Sequence, residues 1–338
     1  MKTIEIGPSD NKLVVPRMGF GCMSLVPDSY KPQVGEEVVE PSAVLEEAYR
    51  LGMALWDTAD MYAYGKNEKL IGQMWGKIPR DKIILATKCG ILRDEFDPKV
   101  RGVNNTANYI VDACYRSLVR LNTPYIDILY LHRKDPEVPI DEPMRGFKQL
   151  VAMNKIRHIG LCEVDAATLR EAHAIHPVSV VQVEYSLLTR QAETELLPTC
   201  KELGVHIVAY SPISRGLLSG AMDKLGTFAE GDSRRTLPRF TKEHIANNIS
   251  IAQQIKKIAD RKNCSLPQLC LAYLLHKSDK MIPIPGTKSI AHLRDNVRAI
   301  DIELSSNEIA ELESLAPIGS ASGSRYDSGA MNKFKFTW

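Results

Sequence analysis

The sequence has no run approaching the ~20 consecutive apolar residues of a membrane-spanning helix, so no membrane association is expected. It has no surplus of one charge either: 43 Lys and Arg stand against 41 Asp and Glu, a formal net charge of +2 in 338 residues. Neutralising many phosphates needs a basic face, and so even a balance argues against nucleic acid as a partner. No C-x-x-C pair occurs among the seven cysteines, Cys22, Cys89, Cys114, Cys162, Cys200, Cys264 and Cys270. Their odd number and scatter argue against a disulfide framework or a zinc site, and predict reduced thiols in a cytoplasmic protein. The opening stretch, MKTIEIGPSDNKLVVPRMGFGCM, carries a single lysine at its start and then polar residues before Lys12, without a long apolar core, so no secretory signal is expected. With 44% apolar and 25% charged residues the composition is that of a globular protein, not a disordered one.

What is present is an alternation of short apolar runs and amphipathic stretches. Eight runs read as strands, at 18–22, 54–58, 82–88, 126–131, 156–161, 179–183, 206–210 and 281–284. Several, such as KIILATK, YIDILYLH and GVHIVAYSP, are continuously apolar, the pattern of strands buried on both faces in a parallel sheet. Helical spacing appears at 41–51, 105–121, 141–153, 165–175 and 192–203. Thr106 and Asp165 suit the N-cap position, and Gly204 suits the residue that ends the last of these helices. Strands each followed by a helix predict an α/β fold, a closed (β/α)8 TIM barrel. A doubly wound sheet is the competitor, and the lack of a G-x-G-x-x-G fingerprint after the early strands counts against it. Residues 1–16 predict an N-terminal β-hairpin capping one end of the barrel. Residues 218–280, between strands seven and eight, predict an insertion with extra helices at 241–262 and 265–277, Pro267 falling in a first turn. The Gly- and Ser-rich stretch 317–338 predicts a flexible tail, and one domain is expected over 1–338.

In such a barrel the working residues stand at the C-terminal ends of the strands. Strand two ends in WDTADMY, offering Asp57 and Tyr62; strand three ends in ATK, offering Lys88; strand four ends in YLH, offering His132. Singly, each has a plain structural reading: a solvated lysine, a hydrogen-bonded histidine, a loop-packing tyrosine, a turn-capping aspartate. Their placement on three consecutive strand ends points instead to one site. A phenol with a pKa near ~10 holds its proton at neutral pH, and a neighbouring cation makes it a better donor by about 1–3 pKa units. Lys88 supplies that cation, Asp57 keeps it charged and in place, and His132 orients a carbonyl beside Tyr62. The set lacks the nucleophile and base of hydrolysis and suits carbonyl reduction.

These blocks resemble the aldo-keto reductase family over nearly the whole chain, from RMGFGCM to PGTKS and LRDN. WDTADMY with YGKNEKLIG resembles the family's D-T-A-x-x-Y block, and ATK and LHRKD its Lys and His blocks. HRKDPEVPI and GDSRRTLPRF resemble the longer, mostly microbial and plant members. The resemblance implies a tetrad of Asp57, Tyr62, Lys88 and His132, with Tyr62 as general acid. It also implies hydride transfer from NADPH to an aldehyde or ketone. On the same basis Tyr210 stacks on the nicotinamide, while Gln182 binds its carboxamide. Ser211, Pro212, Ile213, Ser214, Arg215, Gly216 and Leu217 line the pyrophosphate path. Gly21, Cys22, Met23 and Ile284 border the cofactor; Gly286, Thr287 and Lys288 lie near the adenosine phosphate, and Asp295 and Asn296 hold the adenine. Two positions depart from the pattern. Cys162 and Glu163 stand where the family often has Ser-Asn, and Glu163 can accept from the carboxamide NH₂ but cannot donate to its oxygen. His292 stands where many members carry an arginine for the 2′-phosphate, leaving Lys288 or Arg294 to supply the charge.

The substrate itself is not named by the sequence. Met23, Met61, Tyr64 and Arg133 are candidate pocket walls. Arg133 is compatible with an acidic or phosphorylated carbonyl compound, or with a salt bridge to Asp135 or Glu163. Two other classes are weighed. An NADPH-binding regulatory subunit resembling the voltage-gated potassium channel β subunits would keep the site, but no long inactivation peptide precedes the hairpin. A metal-dependent hydrolase could use His132, Asp57 and Asp60, but the chain shows no H-x-H pair, so no metal is expected. Oligomeric state leaves no trace in the sequence.

Overall fold

The structure, a computed structural model, describes residues 1–26, 39–97, 99–221, 228 and 230–333. Parts of the expected insertion (222–227 and 229) and of the expected tail (334–338) lie outside the described residues. The chain opens with β1 (Thr3–Ile6) and β2 (Leu13–Pro16), then β3 (Phe20–Gly21), α1 (Pro41–Arg50), β4 (Leu55–Asp57) and α2 (Lys66–Gly72). Next come β5 (Ile84–Cys89), β6 (Ile91–Arg93), β7 (Arg101–Val103), α3 (Ala107–Arg120), β8 (Ile126–Leu131) and α4 (Asp141–Ala152). They are followed by β9 (Ile156–Cys162), α5 (Ala166–Ile175), β10 (Val180–Glu184), α6 (Leu196–Leu203) and β11 (His206–Tyr210). The chain continues through α7 (Ile245–Arg261), α8 (Leu266–Lys277), β12 (Met281–Pro283), α9 (Ile290–Val297), α10 (Ser306–Leu315) and α11 (Ser328–Lys333).

Among the described residues eight strands form one parallel sheet in the order β12-β11-β10-β9-β8-β5-β4-β3. Backbone bonds from Gly19 N to Pro283 O (3.0 Å) and Gly21 N to Pro285 O (3.2 Å) join its two edges and close the (β/α)8 barrel. Each of the eight apolar runs expected as strands overlaps one of these strands, β5, β9 and β10 each running one residue past the expected end. The reason is physical: inward side chains fill the barrel and outward ones meet helices, so most positions of a run are buried, Arg157 in β9 being an exposed exception. Gly160 serves this packing, since a Cβ there would lie 2.3 Å from the buried Tyr130 ring.

The helices begin where local chemistry directs. Thr106 accepts from Tyr109 N (3.3 Å) and Asp165 from Thr168 N (2.7 Å), each satisfying a donor the helix leaves open. Ser265 and Gln268 form a capping box at α8, with Pro267 in its first turn, and Gly204 ends α6 at φ 74°. α7 and α8 are the extra helices between the seventh and eighth barrel strands.

The hairpin β1–β2 closes the end of the barrel where the strands begin. Ile6 and Val15 are buried in one cluster with the barrel-lining Leu55, Ala86, Ile128, Val180, Val208 and Ile282. Burying two such side chains contributes ~1.5–3 kcal/mol each. Gly7, at φ 91°, packs against His158, where a Cβ would lie 2.6 Å from the ring. A second hairpin, β6–β7, follows the third barrel strand and was not foreseen, because the polar stretch between its short strands reads as plain loop. None of the described helices is long and apolar enough to cross a membrane.

Candidate active site

Parallel register brings the four strand-end residues to one mouth. Asp57 is the last residue of β4, Lys88 lies one residue before the end of β5, and His132 directly follows β8, its N–H donating to Cys89 O (2.8 Å). Tyr62 opens a 3₁₀ turn after β4, in a loop tied to β5 by Thr58 N to Ala86 O (2.9 Å) and Asp60 N to Lys88 O (3.1 Å). Two residues of that turn, Ala63 (φ 46°) and Tyr64 (φ 54°), are left-handed without being glycine, the kind of backbone strain that clusters at working sites.

The Lys88 ammonium makes an ion pair with Asp57 Oδ1 and donates to Thr58 O (2.8 Å) and to Tyr62 Oη (3.3 Å). Gln182 Nε2 donates to the other Asp57 oxygen (2.7 Å), and the Tyr62 and His132 rings meet edge to face at 5.9 Å. Lys88 and Asp57 are both buried, 1% and 3% exposed, so the pair sits where water hardly screens it. Burial works against the ammonium, but the influences on it, led by the charge of Asp57, outweigh burial and raise the Lys88 pKa. Burial raises the Asp57 pKa, with Lys88 and Gln182 pulling it back. One expectation is corrected here. Lys88 does pull the Tyr62 pKa down, but burial of the phenol is the larger effect, and the net result is a shift up to about 12. Tyr62 therefore holds its proton firmly across neutral pH. Burial, then Arg133 and Lys88, hold the His132 pKa well below its ordinary value. His132 is thus a neutral imidazole, and its buried Nδ1 has no hydrogen-bond partner among the described residues.

Behind the tetrad lies a polar layer that sequence reasoning missed. Asn67 on α2 accepts from Thr58 Oγ1 (2.7 Å) and donates to Cys22 O (2.8 Å). Its neighbour Glu68 accepts from Thr87 Oγ1 (2.7 Å) and from Arg120 Nε (2.6 Å). Thr58 and Thr87 adjoin Asp57 and Lys88 in the chain, so α2 clamps both strand ends. The signal was the polar Asn-Glu pair in YGKNEKLIG, which one sequence alone cannot mark as buried. Burial, with Glu68 nearby, pushes the Asp60 carboxyl up to about 8, and its Oδ1 has no partner among the described residues.

The residues assigned to the cofactor by resemblance fall into three groups. Tyr210 ends β11, and the loop after it places Ser211 (φ 50°), Ser214 (φ 51°) and Arg215 (φ 55°) in the left-handed region, followed by Gly216 (φ 99°). Pro212, Ile213 and Leu217 complete this loop, and Ser214 Oγ meets Ser186 Oγ at 2.7 Å. Arg215 turns its guanidinium inward, to Glu184 Oε2 (2.6 Å) and Arg325 O (3.0 Å). Gly21 and Gly286 face each other across the barrel seam: a Cβ on Gly286 would lie 2.7 Å from Gly21 O, and one on Gly21 would lie 2.8 Å from Ile284 O. Cys22 is buried beside Asp57, Met23 opens the next short turn, and burial pushes the Cys162 thiol up to about 12.

The third group lies around α9. Thr287 Oγ1 accepts from Ser289 N (3.0 Å), Lys288 is half-buried, and His292 is exposed on the first turn. Asp295 is engaged elsewhere, accepting from Ser265 Oγ (2.5 Å) and Gln268 Nε2 (2.7 Å) at the start of α8, beside the buried Asn296. Arg294 is also committed: its Nε donates to Glu47 Oε1 (2.7 Å) on α1, because a residue two positions from His292 points to another side of the helix. Of the two substitute cations, Arg294 is thus the one held by Glu47. Met61 is half-buried and Tyr64 exposed beside Tyr62, while Arg133 donates to His132 O (2.7 Å) and Tyr326 Oη (3.5 Å).

The expected flexible tail is docked where it is described. Asn248 Nδ2 donates to Ser322 O (3.0 Å) and its Oδ1 accepts from Ser322 N (2.8 Å), and Arg239 Nε donates to Gly323 O (3.3 Å). Arg325 is 4% exposed and pairs with Glu163 Oε2 (2.8 Å), and Tyr326 Oη meets Tyr210 Oη at 2.9 Å. A Gly/Ser composition implies mobility only while the backbone lacks partners, and side chains from the region between β11 and β12 supply them. Glu163 therefore spends its carboxylate on a residue that sequence reasoning did not single out. The seven cysteines are free thiols. Among the described residues no three His, Cys, Asp or Glu side chains converge as a metal site.

Comparison with known proteins adds an independent line. The model of the Aldo/keto reductase family matches residues 17–317. A Schizosaccharomyces pombe protein named aldo-keto reductase yakc, with NADP(+) in its name, is 41% identical over 323 residues, covering 94% of each chain. A soybean (Glycine max) protein named probable aldo-keto reductase 1 is 38% identical over 327 residues, covering 96% of this chain and 91% of its own. Among solved structures, the glycerol dehydrogenase AKR11B4 of Gluconobacter oxydans superposes with a TM-score of 0.80 at 24% identity, over 93% of this chain and 94% of its own, a likeness of fold.

Proposed function

This chain belongs to the aldo/keto reductase family, and from that premise we propose that it reduces an aldehyde or ketone to an alcohol with NADPH, Tyr62 acting as the general acid. The observation that carries the reading is the buried Lys88 ammonium held between Asp57 and the Tyr62 hydroxyl, with a neutral His132 ring against the same phenol.

The residues present fit a dinucleotide. Three non-glycine residues of the loop after β11 hold strained left-handed conformations, and such strain persists where a site demands it. Tyr210 would take the nicotinamide ring, Gln182 and Glu163 its carboxamide, the 211–217 loop the pyrophosphate, and Lys288 with His292 the adenosine phosphate. Bound there, NADPH supplies the hydride that reduces the carbonyl carbon.

The protein's own residues do the proton chemistry. His132, a neutral ring packed edge to face on Tyr62, positions the carbonyl oxygen beside that phenol. The Tyr62 Oη proton passes to that oxygen as negative charge develops on it. Lys88, 3.3 Å away, stabilises the phenolate left behind, and Asp57 keeps Lys88 charged in a dry site. The named fission yeast relative supports NADP(H) over NAD(H). The free thiols support a reducing, cytoplasmic setting. The decisive test is Tyr62→Phe: it is expected to bind NADPH as the wild type does and to lose turnover on aldehydes and ketones. Retained turnover would refute the assignment.

A further inference from the structure

We infer that Arg325 is a positioning residue of the cofactor site: brought in by the C-terminal segment, it fixes the Glu163 carboxylate so that one acceptor site remains for an amide N–H. The inference rests on the reading that Glu163 borders the nicotinamide.

Glu163 follows β9 with φ 53°, a conformation that costs a non-glycine residue ~1–3 kcal/mol and persists only where its surroundings enforce it. Three tethers do so. Its N–H donates to Gln182 O (2.9 Å), its Oε1 accepts from Glu184 N (2.7 Å), and the Arg325 guanidinium grips both carboxylate oxygens (3.2 Å to Oε1, 2.8 Å to Oε2). The pair is dry, with side chains 1% and 3% exposed. A carboxylate this buried is stable as an anion only with a partner. Burial alone would raise its pKa, but the charge and hydrogen bonds of Arg325 reverse the direction and lower it.

The acceptor count follows. A carboxylate offers about four lone-pair sites, and the bonds from Glu184 and Arg325 fill three, two on Oε1 and one on Oε2. The remaining site on Oε2 would take an amide N–H once binding uncovers the carboxylate, whose side chain is 1% exposed. The next residue, Tyr326, reaches Tyr210, the residue expected to stack on the ring. Tyr326 Oη meets Tyr210 Oη (2.9 Å), and the Arg215 guanidinium lies 4.5 Å over the Tyr326 ring. A residue 162 positions away in sequence thus holds the carboxylate in place.

Calorimetric binding of two ligands tests this: NADP+, and 2′,5′-ADP, which shares the adenosine phosphates but lacks nicotinamide. Arg325→Met is expected to weaken NADP+ about tenfold and leave 2′,5′-ADP unchanged, because only the amide contact depends on a fixed anion. Glu163→Gln combined with Arg325→Met is expected to recover most of the loss, since a neutral amide at 163 needs no cation. The inference is overturned if Arg325→Met binds NADP+ as the wild type does, if it loses both ligands equally, or if the double variant gains nothing. Should Arg325→Met fail to fold, the double variant is compared with Glu163→Gln alone. Equal NADP+ affinity supports the inference and a tenfold gap overturns it. Failure of the underlying reading looks different: Glu163→Ala would then bind NADP+ as tightly as the wild type.

Discussion

The two ends of the barrel use the same residue types to opposite effect. At the end sealed by the hairpin, Asp127 takes Arg80 Nη2 (2.7 Å) and Leu85 N (2.9 Å) on one oxygen and Arg157 (2.8 Å) on the other, while His158 meets Ser179 Oγ at 2.9 Å. At the open end, Asp57 faces Lys88, but Lys88 also reaches Tyr62 Oη, and His132 and Asp60 keep atoms without a partner among the described residues. An unsatisfied atom is not sufficient by itself, because His206 at the sealed end has one too. Backbone strain completes the contrast. Of nine described non-glycine residues with positive φ, the three that follow helices are Asn122, Asn154 and Asn263, a residue type that tolerates this region. The six that follow barrel strands, near the mouth, are Ala63, Tyr64, Glu163, Ser211, Ser214 and Arg215. A buried charge cluster that is fully bonded and unstrained reads as structure. One that is under-bonded and strained reads as chemistry.

The largest expected effect separates the two ends outright. Tyr62→Phe should lower kcat for carbonyl reduction by ~10²–10⁴-fold, as loss of a general acid does, with Tm unchanged. Lys88→Met should fall in the same range, because it removes the cation that counters burial of the phenol; steady-state kinetics on an aldehyde panel measures both. The two aspartates should then diverge. Asp127→Asn breaks a buried, doubly paired carboxylate and is expected to cost about 3–5 kcal/mol of stability in denaturant unfolding while leaving kcat nearly intact. Asp57→Asn should instead reduce kcat, since Asp57 is the main influence holding Lys88 charged against burial. Equal kcat losses in both variants would erase the contrast.

A smaller effect joins the ends. Burial first of all, together with nearby positive charge, lowers the pKa of His132, and those of His158 and His206 fall to about 4. The folded state keeps these rings neutral, while the unfolded chain protonates them below the ordinary value of 6.5. Stability is therefore complete above pH 6.5 and declines as pH falls from there toward 4. Melting curves across that window should show the decline, and His158→Gln should make it shallower. The smallest effect concerns strain. Tyr64→Gly should raise stability by about 1 kcal/mol and change KM, whereas Asn154→Gly should move Tm little and KM not at all.

Much of this was legible in the chain, for reasons that particular residues make clear. KIILATK and YIDILYLH are continuously apolar because both faces of a barrel strand are buried, and the residues ending them, Lys88 and His132, come to the mouth by parallel register alone. Thr106, Asp165, Ser265 and Gly204 mark helix ends through bonds within a few residues of themselves. Long-range relations were not legible. Arg294 looked available for a phosphate until its helix pointed it at Glu47 on α1. The net direction of the Tyr62 pKa depended on how deeply the ring is buried, a property of the fold rather than of a neighbour. The tail read as mobile because Gly and Ser carry no sign of the Asn248 and Arg239 side chains that fasten it.

The division follows the range of the forces. Apolar periodicity, caps and strand-end residues act over a few positions, so the amino-acid order by itself determined the barrel's element order and which four side chains stand at its mouth. Burial, charge pairing and the docking of Arg325 onto Glu163 depend on segments far apart in the chain. Only the folded packing decided that the lysine is charged, the imidazole neutral, and the tail docked through Arg325 onto Glu163.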